Sequence, residues 1–346
     1  MELPEVAALA YGIEREDPMK AAYYESVGRA SDVLQLGDVP TPQPAFGEVQ
    51  VQIRWSGVNP SDCKSRAGLR SKVMPFPRVI PHSDGMGVVT AVGEGVARDR
   101  IGQRVWLWNT AWGRAHGTAC EYVCLPQNQA VHLPDEVADE TGACLGIPAL
   151  TAMHAVLLDG GVAGQTVLVS GGAGAVGHYA IQMARQLGAA RIIATVSTQD
   201  KARLARDAGA DEIIFYKTEP LVERVAEITR GAGVDRVIEM DMAANGGANA
   251  QMLCTGGVCV GYGSGMANFE LPFFPLITKS LQFKFFIVYN LGQPERARAV
   301  SALTGMLTRV RLQHNIATRL PLEMVAQAHE MVETGQAIGN VVLAVS

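Results

Sequence analysis

The chain has 346 residues, a formal net charge of −5, 48% hydrophobic residues and 18% charged ones. That length suits two domains, and the balance is that of a packed globule rather than a disordered chain. No basic run offsets the acidity and no apolar stretch reaches the ~18 residues of a membrane span, so nucleic-acid and membrane partners are not expected.

Residues 1–18, MELPEVAALAYGIEREDP, carry acids rather than a basic leader and read as an extension before the first structural element. The six cysteines (Cys63, Cys120, Cys124, Cys144, Cys254, Cys259) are scattered rather than arranged as a disulfide framework. Reduced thiols in a cytoplasmic protein are the expectation.

From Met19 to about residue 145 the chain shows short apolar or alternating runs broken by Gly and Pro. Glu48–Trp55 (EVQVQIRW), Gly87–Val92 and Arg104–Trp108 predict strands joined by loops. A helical stretch over Pro148–Leu158 then leads to a short apolar strand, Thr166–Ser170. Helical spacing follows over Val176–Leu187, a strand over Arg191–Val196 and a helix over Lys201–Ala208. The alternation continues through Ile213–Tyr216, a helix at Leu221–Thr229, Arg236–Met240, Gly257–Gly261 and Leu281–Val288. Strand–helix alternation of this kind predicts a doubly wound parallel sheet. Two helical stretches, Pro294–Thr308 and Leu322–Thr334, precede a last strand at Asn340–Val345. That strand finds no partner by counting within the α/β unit, which suggests a return to the first domain.

The strongest signal is Val167-Leu168-Val169-Ser170-Gly171-Gly172-Ala173-Gly174-Ala175-Val176-Gly177. A GxGxxG pattern between a buried-type strand and a helix predicts a dinucleotide site. Gly172 is expected to permit the tight turn, Gly174 to admit a pyrophosphate, and Gly177 to let helix and strand pack closely. Ala175 and Val176 lie at the helix N-terminus, where free N–H groups and the helix dipole favour anions. The second strand ends Ala194-Thr195-Val196-Ser197-Thr198-Gln199 with no acid before Asp200. An acid there would hold the ribose hydroxyls of NADH and repel a 2′-phosphate. Its absence, with Ser197 and Lys201 nearby and Tyr216 at the end of the third strand, predicts NADPH.

Together with Gly57-Val58-Asn59-Pro60-Ser61-Asp62, Ser83-Asp84-Gly85-Met86-Gly87 and Gly146-Ile147-Pro148-Ala149, the glycine turn resembles the medium-chain dehydrogenase/reductase superfamily. The likeness runs from about Met19 to the C-terminus and is to the zinc-free quinone oxidoreductase, or zeta-crystallin, branch. It implies an α/β architecture: a GroES-like β domain from 19–146 and 288–346, and a Rossmann domain at 147–287, with the active cleft between them. Zinc-dependent members place metal ligands where this chain has Asn59, Ser83 and Ile147, all poor zinc donors. Cys120 and Cys124 lack a second pair, so no metal is expected. By the same resemblance Thr151, Gly261 and Tyr262 approach the cofactor, and Asn340 reaches its phosphate end.

A quinone or activated alkene is already electrophilic, so alignment and desolvation carry most of a hydride transfer to it. By the resemblance Asn59 donates to the developing oxyanion, or else holds its own Pro60 loop. Tyr289 lines the pocket and offers a hydroxyl, or is a packed strand-end aromatic. The leading function is NADPH:quinone oxidoreductase. The alternatives are an enone, enal or enoyl (C=C) reductase and a non-catalytic NADPH-binding protein. The loops Arg66–Pro81 and Leu107–His116 are expected to shape the acceptor pocket. The apolar run Leu281–Val288 suggests an edge strand that a homodimer would cover.

Overall fold

The computed structural model of the protein describes residues 18–345. The expected extension at 1–18 lies outside the described residues, except that Pro18 already opens a strand, Pro18–Tyr23.

One sheet has six strands, all parallel: Thr166–Val169, Arg191–Val196, Glu212–Phe215, Val234–Glu239, Leu253–Gly261 and Gln282–Phe285. Numbered in that order, they lie side by side as 3-2-1-4-5-6, which puts a crevice above the first and fourth strands where the winding reverses direction. Val167, Leu168 and Val169 are buried on both faces of the first strand. That explains its continuous apolar run, each such side chain contributing about 1.5–3 kcal/mol.

The second sheet is largely antiparallel and has seven strands. At its centre, Glu48–Val58 pairs along one edge with Asp84–Val92. Its other edge is shared between Tyr122–Pro126 and the last strand, Asn340–Ala344. The C-terminal strand thus returns to the N-terminal sheet. It also runs parallel to Ile316–Pro321, a strand the sequence pattern did not suggest.

Other elements depart from expectation for local reasons. The helix Pro60–Arg66 sits within the region read as strand-rich, nucleated by Pro60 in its first turn and by Asp62, whose carboxylate accepts from the Asn59 backbone N–H at 2.9 Å. The helix Met242–Met252 (MAANGGANAQM) has two glycines and little apolar periodicity, and is capped by Asp241 accepting from Ala244 N. The strand expected over Leu281–Val288 stops at Phe285, because its one neighbour ends at Gly261. Tyr289 therefore sits in a 3₁₀ turn, Val288–Asn290, rather than at a strand end.

The packing also divides the C-terminal stretch 288–346. Helix Gln293–Arg309 packs on helix Leu150–Leu157 and adds Ala299, Leu303 and Met306 to the core beneath the parallel sheet. The segment from Ile316 onward builds the other sheet. All six cysteines are unpaired thiols.

Candidate active site

A cleft of about 300 Å³ opens where the two sheets meet, at the C-terminal ends of the parallel strands. One wall is the glycine turn, and the structure reassigns its glycines. The residue with left-handed backbone is Gly171, at φ 66°, not Gly172. Gly172 is a packing glycine: a Cβ there would stand 2.7 Å from the Ala194 methyl, and it does not line the cleft. Gly174 caps helix Ala175–Gln186 and borders the cleft, and a Cβ on it would meet only the Gly171 carbonyl, at 3.2 Å. Gly177 behaves as expected, since a Cβ would fall 2.3 Å from the Gly171 oxygen. Gly174, Ala175, Val176 and Gly177 all line the cleft, so the helix N-terminus faces open space. Free N–H groups at such a terminus can receive an anion.

Thr151 and Tyr262 border the same cleft, as do Asn59 and Tyr289 from the other side. Ser197 follows strand Arg191–Val196, and Thr198 caps helix Gln199–Asp207 by accepting from the Lys201 N–H at 3.3 Å. Tyr216 stands beside them, its backbone N–H donating to the Val196 carbonyl, with its side chain 49% exposed. Ser197, Lys201 and Tyr216 share the rim of the parallel sheet but lie outside the cleft itself. The first acid after strand Arg191–Val196, Asp200, is held by the Arg203 guanidinium.

Two residues expected near the cofactor have packing or pairing roles in the fold. Gly261 is a buried packing position, where a Cβ would be 2.9 Å from both Met242 and Phe285. Asn340 is buried and its amide donates to the Asn315 carbonyl at 3.0 Å, in register with Ile316. It is Asn315 that reaches the glycine turn, donating to the Ala173 carbonyl at 3.1 Å. No sequence motif marked Asn315.

Asn59 is 4% exposed and its Nδ2 donates to Asp84 Oδ2 at 3.0 Å. The same oxygen accepts from the Ile147 backbone N–H at 3.0 Å. Asp84 is fully buried, and burial holds its carboxyl well above the usual range. Asp84 thereby fixes both Asn59 and the Ile147 loop, and the Asn59 side chain also hydrogen-bonds the Asp62 carboxyl. Sequence reading passed over Asp84 because its partners are 25 and 63 residues away.

The Tyr289 ring stacks on Trp112, with centroids 4.3 Å apart at 16°. Its hydroxyl is 2.8 Å from Ser61 Oγ, and its carbonyl accepts from Asn109 Nδ2 at 2.9 Å and Arg296 Nη2 at 3.2 Å. Burial raises the Tyr289 phenol far above its ordinary value, so it is a weak acid here. Asp62, also buried, is pushed up to about 7.

Residues 45–135 match the alcohol dehydrogenase GroES-like domain, and residues 175–305 match the zinc-binding dehydrogenase family. The quinone oxidoreductase of Lama guanicoe is 30% identical over 315 residues, covering 90% of this chain and 93% of that protein. The chain belongs to the medium-chain dehydrogenase/reductase superfamily, in its quinone oxidoreductase branch. It is an oxidoreductase. A mycobacterial protein solved in complex with NADPH superposes with a TM-score of 0.80 at 29% identity, covering 94% of this chain and all of the other. A 2-haloacrylate reductase does so at 0.79 and 27% identity, covering 94% of this chain and 99% of that one.

Zinc, which the name of the matching dehydrogenase family suggests, does not fit the donors present. Asn59 spends an amide N–H on Asp84, Ile147 offers only an alkyl side chain to the cleft, and Ser83 is a neutral hydroxyl buried beside them. A nicotinamide dinucleotide does fit, because the cradle is lined by backbone that tolerates no side chain at Gly177 and none is present at Gly174.

Proposed function

We propose that the protein reduces a quinone-like electrophile with NADPH and without zinc. The observation that carries this reading is the cleft itself, where the helix N-terminus at Gly174–Gly177 faces Asn59 and Tyr289 across one continuous space. The reduced nicotinamide, when bound, supplies a hydride. The chain's own part is to hold and orient. Gly174, Ala175 and Val176 receive the diphosphate, and Ser197, Lys201 and Tyr216 flank the 2′-phosphate at the sheet rim. Thr151 and Tyr262 line the cleft between the two. Asn59, locked by Asp84, donates to the acceptor oxygen as charge builds on it. A buried, rigid amide serves this better than a mobile one, because no reorganisation is needed during the reaction. The likeness to a protein solved with NADPH supports the cofactor.

Steady-state oxidation of NADPH and NADH with simple quinones and with enones tests the reading. Turnover of a quinone with NADPH preferred supports it, and equal use of the two cofactors removes the argument from Ser197 and Lys201. The kinship with a 2-haloacrylate reductase favours reduction of an activated alkene as the second reading. Consumption with enones alone would select it. Tight NADPH binding without turnover of any acceptor would leave a binding protein.

We also infer a homodimer. Strand Gln282–Phe285 is the open edge of the parallel sheet, and Phe273, Phe274, Ile277 and Phe285 beside it are all more than half exposed. An apolar sheet edge is stable in water only when covered, and a second copy pairing edge to edge covers both at once.

A further inference from the structure

Beyond the cleft lies a second cavity of about 220 Å³, lined by Phe76, Trp112, Tyr289 and, deeper, Asp62 and His82. Ser61, Arg70 and Tyr289 line both spaces, so the cavity continues the cleft on the side away from the glycine turn. The stacked pair Trp112–Tyr289 gives it a flat aromatic wall, suited to a planar conjugated molecule. Arg70 stands at the junction with its guanidinium carbon 6.0 Å from the centre of the Tyr289 ring.

That arginine lies outside the ion pairs that hold several others. Arg54, Arg66, Arg78, Arg104, Arg185 and Arg224 each meet a carboxylate within 4 Å. Among the described residues no acid lies that close to Arg70. The acid in the cavity wall, Asp62, has its Oδ2 turned to the Asn59 backbone N–H. Burial pushes that carboxyl up to about 7, so near neutral pH it offsets only part of the positive charge. A planar cation with no carboxylate in salt-bridge contact, its charge only partly offset by Asp62, stands at the mouth of an aromatic slot and can receive an anion attached to a flat body. The guanidinium's fork of parallel donors matches a carboxylate in particular.

We propose that the acceptor carries a carboxylate, bound by Arg70, while its conjugated part lies against Trp112 and Tyr289. This rests on the function proposed above and narrows its substrate class. The diphosphate of the cofactor is a poorer candidate for the same charge, since the glycine turn borders only the larger space whereas Arg70 also borders the smaller one.

The test compares a 1,4-benzoquinone bearing a carboxyalkyl chain with its methyl ester, under saturating NADPH. Wild type should favour the acid in kcat/KM by about tenfold, the worth of one charge-assisted hydrogen bond pair. Arg70→Gln should bring the two acceptors to near equality, and Arg70→Lys should restore part of the preference. Equal constants for acid and ester in wild type would overturn the proposal. So would an Arg70→Gln enzyme that keeps the preference and shows instead a raised KM for NADPH. If neither quinone oxidises NADPH, the functional reading fails separately. Calorimetric titration of the NADPH-loaded protein with benzoate and benzamide then still decides the role of Arg70. Tighter binding of benzoate, lost in Arg70→Gln, supports it, and indifference between the two refutes it.

Discussion

At the scale of single residues, the site depends on buried polar groups whose partners are fixed. Replacing Asn59 by Ala removes the donor and leaves Asp84 Oδ2 with only the Ile147 N–H. We expect kcat/KM with a quinone to fall about 10²-fold, in the range of a lost oxyanion donor, with KM for NADPH little changed. A split the other way, a raised cofactor KM at constant kcat, would assign Asn59 to the loop alone. Asp62 gives a prediction about pH. Its native carboxyl is raised from 3.8 to about 7, so over that window the folded state keeps a proton the unfolded chain releases. Its contribution to stability is therefore complete below the unfolded value and lost as pH rises through the folded one. Asp62→Asn keeps an oxygen acceptor for the Asn59 N–H but does not titrate. Between roughly pH 4 and pH 7 the urea midpoint of wild type should drop relative to that of the variant. Parallel midpoints would show that the buried carboxyl does not behave so.

At the scale of elements, the decisive join is that of the first parallel strand to helix Ala175–Gln186. Gly177→Ala would place a methyl 2.3 Å from the Gly171 oxygen, which must push the helix off the strand. We expect a loss of about 1–3 kcal/mol in chemical denaturation and a raised KM for NADPH, since the helix N-terminus moves with it. The neighbouring element, helix Gln199–Asp207, carries the proposed preference for NADPH. Lys201→Ala should raise KM for NADPH by roughly tenfold, as a lost charged contact does, and leave that for NADH unchanged. An equal effect on both would place Lys201 in solvent. The helices and strands of this half were legible in the sequence because each is a local apolar pattern. Arg191–Val196 and Leu221–Thr229 fall where periodicity puts them. Helix Met242–Met252 was not legible, as its small residues give no stripe, and its position is fixed by Asp241 and by packing on the strands either side. Likewise Ile316–Pro321 is a strand because Asn340–Ala344 lies beside it.

At the scale of the whole molecule, the edge of the parallel sheet and the exposed phenylalanines beside it predict assembly. Light scattering at micromolar concentration should give twice the chain mass of 36.8 kDa, and Phe274→Asp combined with Phe285→Asp should give a monomer. A wild-type monomer would remove the dimer and leave Gln282–Phe285 as an uncovered edge. The same scale explains where sequence reading of the site ran out. Gly174, Ala175, Val176 and Gly177 are consecutive, and their motif announces them. Arg70, Asp84, Trp112 and Asn315 act on groups far away in the chain, and their residue types are common enough to be silent alone.

The glycine-rich turn could be recognised from sequence because its chemistry is carried by one short stretch of backbone between a strand and a helix. The poor zinc donors at Asn59, Ser83 and Ile147 were equally plain, being a matter of residue type. Which glycine takes the positive φ was seen only in the fold, where Gly171 turns at φ 66° and Gly172 packs against Ala194. The shape of the smaller cavity was likewise beyond the sequence, because loops Arg66–Pro81 and Leu107–His116 meet Tyr289 only after the two sheets have closed on each other. A local motif fixes its own geometry through neighbouring peptide bonds. A cavity is the space left between elements, and only their tertiary arrangement defines it.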